Sequence, residues 1–233
     1  MKVTPVSACN FESFYKPNSV FRHVLQSEIQ QLSTQAEPFT FKKGSFIYHE
    51  GSRITGCYFI QTGIVKIFKT GTDGKEQIIR FAKPGEIIGF RSVFSNEAAC
   101  TTAQVHDDSL TCFIPSELMI NLVRSNGNFA LDMLQLTCKE LGEANEYITD
   151  IAQKTVRERL AEVLLHLKNN FGLDQEQFLQ ISLTREEMAN LVGTATESVI
   201  RLLSEFKDDK IIELAGRRIK ILNMPALTKT ANL

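Results

Sequence analysis

Between Leu183 and Leu222 a handful of polar side chains have the types and spacing needed to read the edges of nucleic-acid bases. Arg201 can donate two parallel hydrogen bonds, which guanine O6 and N7 are placed to accept, and Glu197 can accept one from cytosine N4. Ser198 suits a phosphate or a base edge, and Thr196 precedes them on the same turn. Arg217 and Arg218 follow downstream, where guanidinium groups would lie against a phosphate backbone. Thr184 and Thr194, at two helix starts, complete the candidate DNA-contact set. A blander chemistry competes at every one of these positions: Glu197 can merely cap its helix, Arg201 can pair with Glu197 at i, i+4, and surface charges are ordinarily solvated. Net charge does not decide between them. From Ser182 to Ile221 seven basic residues (Arg185, Arg201, Lys207, Lys210, Arg217, Arg218, Lys220) face seven acidic ones, so the order of elements carries the inference.

Something must hold those side chains outward. In Thr184-Arg185-Glu186-Glu187 a threonine hydroxyl and a carboxylate three residues on can satisfy orphan amides reciprocally, which predicts a capped helix that turns Met188, Ala189 and Leu191 inward. Gly193 ends it, and Thr194-Ala195-Thr196-Glu197 repeats the T-x-x-E pattern. A second short helix therefore follows at once, with Val199, Leu202, Leu203 and Phe206 on one face and the polar set on the other. Polar residues gathered at its N-terminal end are what a recognition helix presents to the major groove. Ile211 to Leu214 and Arg218 to Leu222 then read as a hairpin turning at Ala215-Gly216-Arg217, a wing. Upstream, Val156, Leu160, Val163, Leu164 and Leu167 face one side of a helix that Gly172 ends.

The rest of the chain divides in two. A short amphipathic helix is expected from Val20, Phe21, Val24, Leu25, Ile29 and Leu32, ending near Gln35, after an irregular start. From Phe39 to Pro115 short runs rich in Ile, Val, Phe and Tyr alternate with glycines, giving an antiparallel β-barrel or jelly roll. Its clearest hairpin joins Ile64–Thr70 to Glu76–Ala82 through Thr72-Asp73-Gly74. After a short helix from Ser116 to about Arg124, a long one runs from Asn126 to near Gln153. Leu131, Leu134, Cys138, Leu141, Asn145, Ile148 and Ala152 lie on one stripe of it at spacings of three and four, as in a parallel dimer; packing on the chain's own barrel is the alternative. Leu134, Cys138, Leu141, Asn145 and Ile148 are the dimerisation candidates.

The expected class is α+β: a β-roll domain over residues 1–125, a dimerisation helix over 126–153 and a winged helix-turn-helix over 154–233. With 233 residues, 43% of them hydrophobic, two cores are affordable, and 26 basic against 27 acidic residues announce no bulk attraction to polyanions. No leader or run long enough to span a bilayer is read, which predicts a cytoplasmic protein. The five cysteines (9, 57, 100, 112, 138) include no C-x-x-C pair, so neither a metal site nor a disulfide framework is signalled. Cys57, Cys112 and Cys138, among apolar neighbours, are expected to pack as small hydrophobes, with Cys9 and Cys100 left open. His23, His49, His106 and His166 share no ligand spacing and stand beside no nucleophile, so no catalytic residue, metal or cofactor is expected.

The glycine-punctuated β-domain, the long helix and the stretch TREEMANLVGTATESVIRLLSEF together resemble the family of the cyclic AMP receptor protein and the fumarate-nitrate regulator, the Crp/Fnr transcription factors. The resemblance covers nearly the whole chain. It implies a double-stranded β-helix of the cyclic-nucleotide-binding kind, a homodimer on double-stranded DNA, and RNA polymerase as a partner. The family's E-[ST]-x-x-R signature falls on Glu197, Ser198 and Arg201, implying a TGA-like or TTG-like half-site, while Thr196 stands where some members carry arginine. Pro84-Gly85-Glu86-Ile87-Ile88-Gly89 is similar to the segment that touches ribose in nucleotide-binding members. The phosphate cassette is not matched: the turn reads Ala99-Cys100-Thr101-Thr102, without the arginine that would pair with a cyclic phosphate. Gly85, Glu86, Arg91, Cys100 and Thr101 are the candidate effector pocket, and regulation without cyclic AMP is expected. A small-molecule receptor whose β-domain controls DNA binding is the alternative. Iron-sulfur sensing would need about four thiolates, and Cys9 stands alone near the N-terminus.

Overall fold

The computed structural model describes Cys9 and residues 19–233; the expected irregular start, Cys9 apart, lies outside the described residues. The described residues form two compact units, one of those up to Thr70 with Ile78–Leu141, the other of Gly71–Gln77 with Gly142–Leu233. No described helix is long and apolar enough to cross a membrane.

The first unit opens with a turn at 19–23 that precedes helix α1 (Gln26–Gln35). The expected helix is thus shorter at its front: Phe21 and Val24 are buried, but from a turn rather than from a helical face. Strands β1 (Glu37–Phe41), β2 (Phe46–Tyr48), β3 (Gly56–Thr70), β4 (Glu76–Ala82), β5 (Ile87–Ile88) and β6 (Thr102–Pro115) form one six-stranded sheet in the order β1-β6-β3-β4, with β2 on β6 and β5 on β3. Every register that can be followed is antiparallel, as expected for a roll without crossover helices. The β3–β4 turn closes where the sequence placed it, with Gly71 and Lys75 hydrogen-bonded and Gly74 at φ 79°.

Side chains alternate across β3, and each face has its own core. Cys57 and Phe59 join Phe21, Leu32, Met119 and Phe129, the last three from α1, α3 (Ser116–Ser125) and α4 (Gly127–Gln153). Tyr58 and Ile60 face the other way, against Tyr48, Val65, Ile67, Ile88 and Ala103. Small helix α2 (Phe90–Ser95) adds Phe90 and Val93 to the helical side.

Two cysteines depart from expectation. Cys112 on β6 is bonded to Cys9 in a disulfide across 103 residues of sequence, so it is not a reduced core thiol. Cys138 is exposed on α4, while Cys57 is buried and free as expected, burial pushing its thiol pKa up. The stripe on α4 faces solvent: Leu131, Leu134, Leu141 and Ile148 are each more than half exposed, and Cys138, Asn145 and Ala152 are exposed with them. Within the first unit, the described residues of the barrel leave Leu131, Leu134, Cys138 and Leu141 exposed.

The second unit contains α5 (Val156–Phe171), α6 (Arg185–Val192), α7 (Thr196–Asp208), the hairpin β7 (Ile212–Ala215) and β8 (Arg218–Ile221), and α8 (Met224–Thr230). Its core is Leu160, Leu164, Leu167, Met188, Val192, Val199, Leu202, Phe206 and Ile219. The start of α5 carries a capping box that the sequence reading passed over: Thr155 accepts from the Glu158 amide and Glu158 accepts from the Thr155 amide.

Candidate nucleic-acid interface

Helix α6 starts as its sequence requires. Thr184 Oγ1 accepts from the Glu187 amide at 3.0 Å and Glu187 Oε2 accepts from the Thr184 amide at 2.8 Å. The Thr184 hydroxyl also donates to that carboxylate, so it is engaged in the cap. Gly193 ends α6 at φ 73°, in the left-handed region, and both Gly193 and Thr194 donate their amides to Ala189 O. That geometry overturns the second cap. Thr194 belongs to the close of α6, the N-cap of α7 is Ala195, and no side chain caps it. Arg159 on α5, a residue the sequence did not single out, donates to the carbonyls of Val192 and Gly193, placing a cation at the C-terminal end of α6.

From Thr196 onward the two faces of α7 separate as predicted. Val199, Leu202, Leu203 and Phe206 are buried; Glu197 and Arg201 are exposed, Arg201 with 67% of its side chain open to solvent, and Thr196 and Ser198 are half-buried. Ile200, nearly half exposed, lies on the same outward surface, one helical turn from Glu197, and its signal in the sequence was an apolar residue out of phase with the buried stripe. Arg201 does form an i, i+4 pair, but with Glu205 and not Glu197: Nη1 is 2.7 Å from Glu205 Oε1.

The wing is a two-residue turn. Ala215 pairs with Arg218, leaving Gly216, at φ 62°, and Arg217 at the tip. Arg217 is exposed there, as a phosphate contact requires. Arg218 is otherwise engaged: Nη2 lies 2.7 Å from Asp174 Oδ2 and 2.8 Å from Glu176 Oε2, and the guanidinium sits 4.1 Å over the Phe178 ring. The Phe178 amide, with Arg218 beside it, holds the Asp174 carboxyl below its ordinary range, and the two carboxylates raise the Arg218 pKa. Arg185, at the first position of α6, donates to Gly216 O at 2.9 Å and ties the wing turn to that helix; partial burial lowers its pKa.

The candidate effector residues are more scattered. Gly85 donates its amide to Ile60 O, Arg91 is exposed on α2, and Cys100 and Thr101 are half-buried on their turn. Glu86 is paired with Arg80 of β4 at 2.6 Å, and Arg80 also reaches Glu140 at 3.3 Å. Arg80, which the sequence did not single out, is thus the cation beside Glu86. Tyr48 hydrogen-bonds Thr101, and burial raises its pKa to about 12.

Comparison with known proteins agrees with this architecture. Residues 38–126 match the cyclic nucleotide-binding domain family and residues 158–230 the Crp-like helix-turn-helix domain family. The chain is 28% identical over 212 residues to the fumarate and nitrate reduction regulatory protein of Vibrio cholerae, covering 89% of this chain and 84% of that one. It is 28% identical over 185 residues to the transcriptional activator protein Anr of Pseudomonas protegens, covering 78% and 75%. Among solved structures, FixK2 from Bradyrhizobium japonicum superposes with a TM-score of 0.76 at 24% identity, covering 84% of this chain and 96% of FixK2.

Proposed function

Because the chain belongs to the Crp/Fnr family of DNA-binding transcription regulators, we propose that it acts as a homodimer whose two α7 helices each enter a major groove and read half of an inverted repeat. The observation that carries this is the division of α7: one face is sealed into the domain, while Glu197, Ile200 and Arg201 stand outward on its first turns. Arg201 takes guanine O6 and N7, Glu197 accepts from cytosine N4, and Ile200 meets a thymine methyl. Thr196, Ser198, Thr194 and Arg217 border the phosphates, and Thr184 and Arg218 serve by fixing α6 and the wing.

The exposed stripe on α4, Leu134, Cys138, Leu141, Asn145 and Ile148, pairs the subunits, with Asn145 setting register. Functionally, residues 1–125 form the sensor-like roll, 126–153 the association helix and 154–233 the DNA-binding domain. The regulator acts in the cytoplasm on RNA polymerase at its operators, and without cyclic AMP. The turn at Cys100 lacks a phosphate-binding arginine, and Glu86 is already matched by Arg80.

Selection of binding sites from a random duplex library with the full-length protein, followed by gel shifts at one fixed salt concentration, tests the central claim. An enriched inverted repeat, bound at least about 10³-fold more tightly than scrambled duplex, is expected. Enrichment of nothing beyond the non-specific, salt-sensitive background refutes it. Leu141→Glu is expected to convert a dimer to a monomer in sedimentation, and titration calorimetry with cyclic AMP to show no binding at micromolar concentration.

A further inference from the structure

Glu205 sits between two arginines of different origin. Its Oε1 accepts from Nη1 of Arg201 at 2.7 Å, and its Oε2 accepts from Nη1 of Arg157 at 2.7 Å. Arg157 belongs to the first turn of α5 and is itself fixed: its Nη2 donates to Asp209 at 2.7 Å, and its guanidinium lies 4.7 Å over the ring of Phe206, which is fully buried. A rigid part of the domain therefore holds one oxygen of the carboxylate, and the other oxygen holds the head of an otherwise solvent-exposed arginine.

A long exposed arginine loses rotamer freedom when it docks on a base, a cost of about two- to tenfold in affinity per side chain. Restricting it beforehand removes part of that cost. Only Nη1 of Arg201 is engaged by Glu205, so the edge formed by Nη2 and Nε remains open, and that edge is the fork that matches guanine O6 and N7. The same carboxylate offsets the charge of Arg157 and Arg201, which would otherwise attract phosphates on every sequence alike.

We infer that Glu205 is a specificity-determining positioning residue: anchored by Arg157, it presents the open edge of Arg201 to guanine, gaining discrimination while weakening sequence-independent attraction. This rests on the reading of Arg201 as a base contact. A structural role alone would not produce that pair of opposite effects, since a disturbed helix weakens specific and non-specific binding together.

The test is a double-mutant cycle on the full-length protein. Affinity is measured for the operator selected from the random library, for the same duplex with the guanine of each half-site changed to adenine, and for scrambled duplex, all at one salt concentration. Glu205→Ala is expected to reduce guanine-over-adenine discrimination about two- to tenfold per half-site, the fold-change matching the ordering cost above. Its affinity for scrambled duplex should hold or tighten. In the Arg201→Ala background the same change should have no effect on discrimination, because the residue through which it acts is gone. Should Glu205→Ala lower the melting temperature, the isosteric Glu205→Gln gives the same reading in a folded protein.

Undiminished discrimination with Arg201 intact, or a loss that adds to that of Arg201→Ala, overturns the role of Glu205 while leaving Arg201 as a reader. If Arg201→Ala itself leaves discrimination unchanged, the base contact fails, and the role of Glu205 fails with it.

Discussion

Replacing Gly193 by alanine tests whether the turn between α6 and α7 demands glycine. Its φ of 73° lies in the left-handed region, where a Cβ meets the following carbonyl at a cost of about 1–2 kcal/mol. The new methyl would also stand 2.9 Å from Ile151 Cδ1 and 3.2 Å from the Tyr147 hydroxyl. Ile151 Cδ1 is the far end of a movable side chain, so relief by an off-rotamer shift adds of order 0.5–1.5 kcal/mol. Gly216 supplies the control: it has φ 62° but nothing within 4 Å of a built Cβ, so Gly216→Ala carries the backbone cost alone. Urea unfolding at a fixed protomer concentration, with the slope checked for constancy, should therefore show about 1.5–3.5 kcal/mol lost for Gly193→Ala and about 1–2 for Gly216→Ala. A Gly193→Ala loss no greater than the control refutes the reasoning, because both sites have φ in the left-handed region and differ in what surrounds them.

Phe206→Ala should destabilise the DNA-binding unit by about 3–5 kcal/mol and release Arg157, since the ring is wholly buried and carries that guanidinium; denaturant unfolding measures it, and a loss under ~1 kcal/mol contradicts the packing. Asp174 has its folded pKa depressed below the ordinary 3.8, so the stability it lends is present above that value and is lost as pH falls through the lowered one. NMR shifts of the Phe178 and Arg218 amides should follow this acid titration in the wild type and not in Asp174→Asn; an identical titration in the variant argues against it. The Cys9–Cys112 bond closes a long loop, and its loss in Cys9→Ser should cost about 2–5 kcal/mol under oxidising conditions and nothing once a thiol reductant is present. Peptide mapping that finds both thiols free in the untreated protein removes the premise.

Local chemistry was the part of the molecule that its sequence displayed. The α6 cap at Thr184 and Glu187, the inward stripe of α7, the Asp-Gly turn at Gly74 and the wing turn at Gly216 each depend on residues within a few positions of one another, and each forms, the wing turn one residue shorter than read because Ala215 pairs with Arg218. The false second cap failed for a local reason too: the amides of Gly193 and Thr194 both turn back to Ala189, so Thr194 closes one helix and cannot open the next. The remaining surprises come from distance along the chain. Arg201 has an acidic residue four positions away on either side, and what favours Glu205 is Arg157, more than forty residues earlier. Arg218 looks like a free wing cation until the fold brings Asp174 and Glu176 beside it. Cys9 and Cys112 carry no spacing signal, because a disulfide depends on the separation of two side chains in space and not in sequence.

The Asp174–Glu176 clasp on Arg218 also bears on how complex formation depends on ionic conditions. Each phosphate neutralised by a protein cation releases about 0.9 of a condensed counterion from duplex DNA. A guanidinium already balanced by two carboxylates contributes little to that release, which leaves Arg217 as the cation of the wing tip. Binding should then lose affinity only gently as potassium rises, and most of what separates an operator from bulk chromosome would come from hydrogen bonds at base edges, which dissolved ions do not displace.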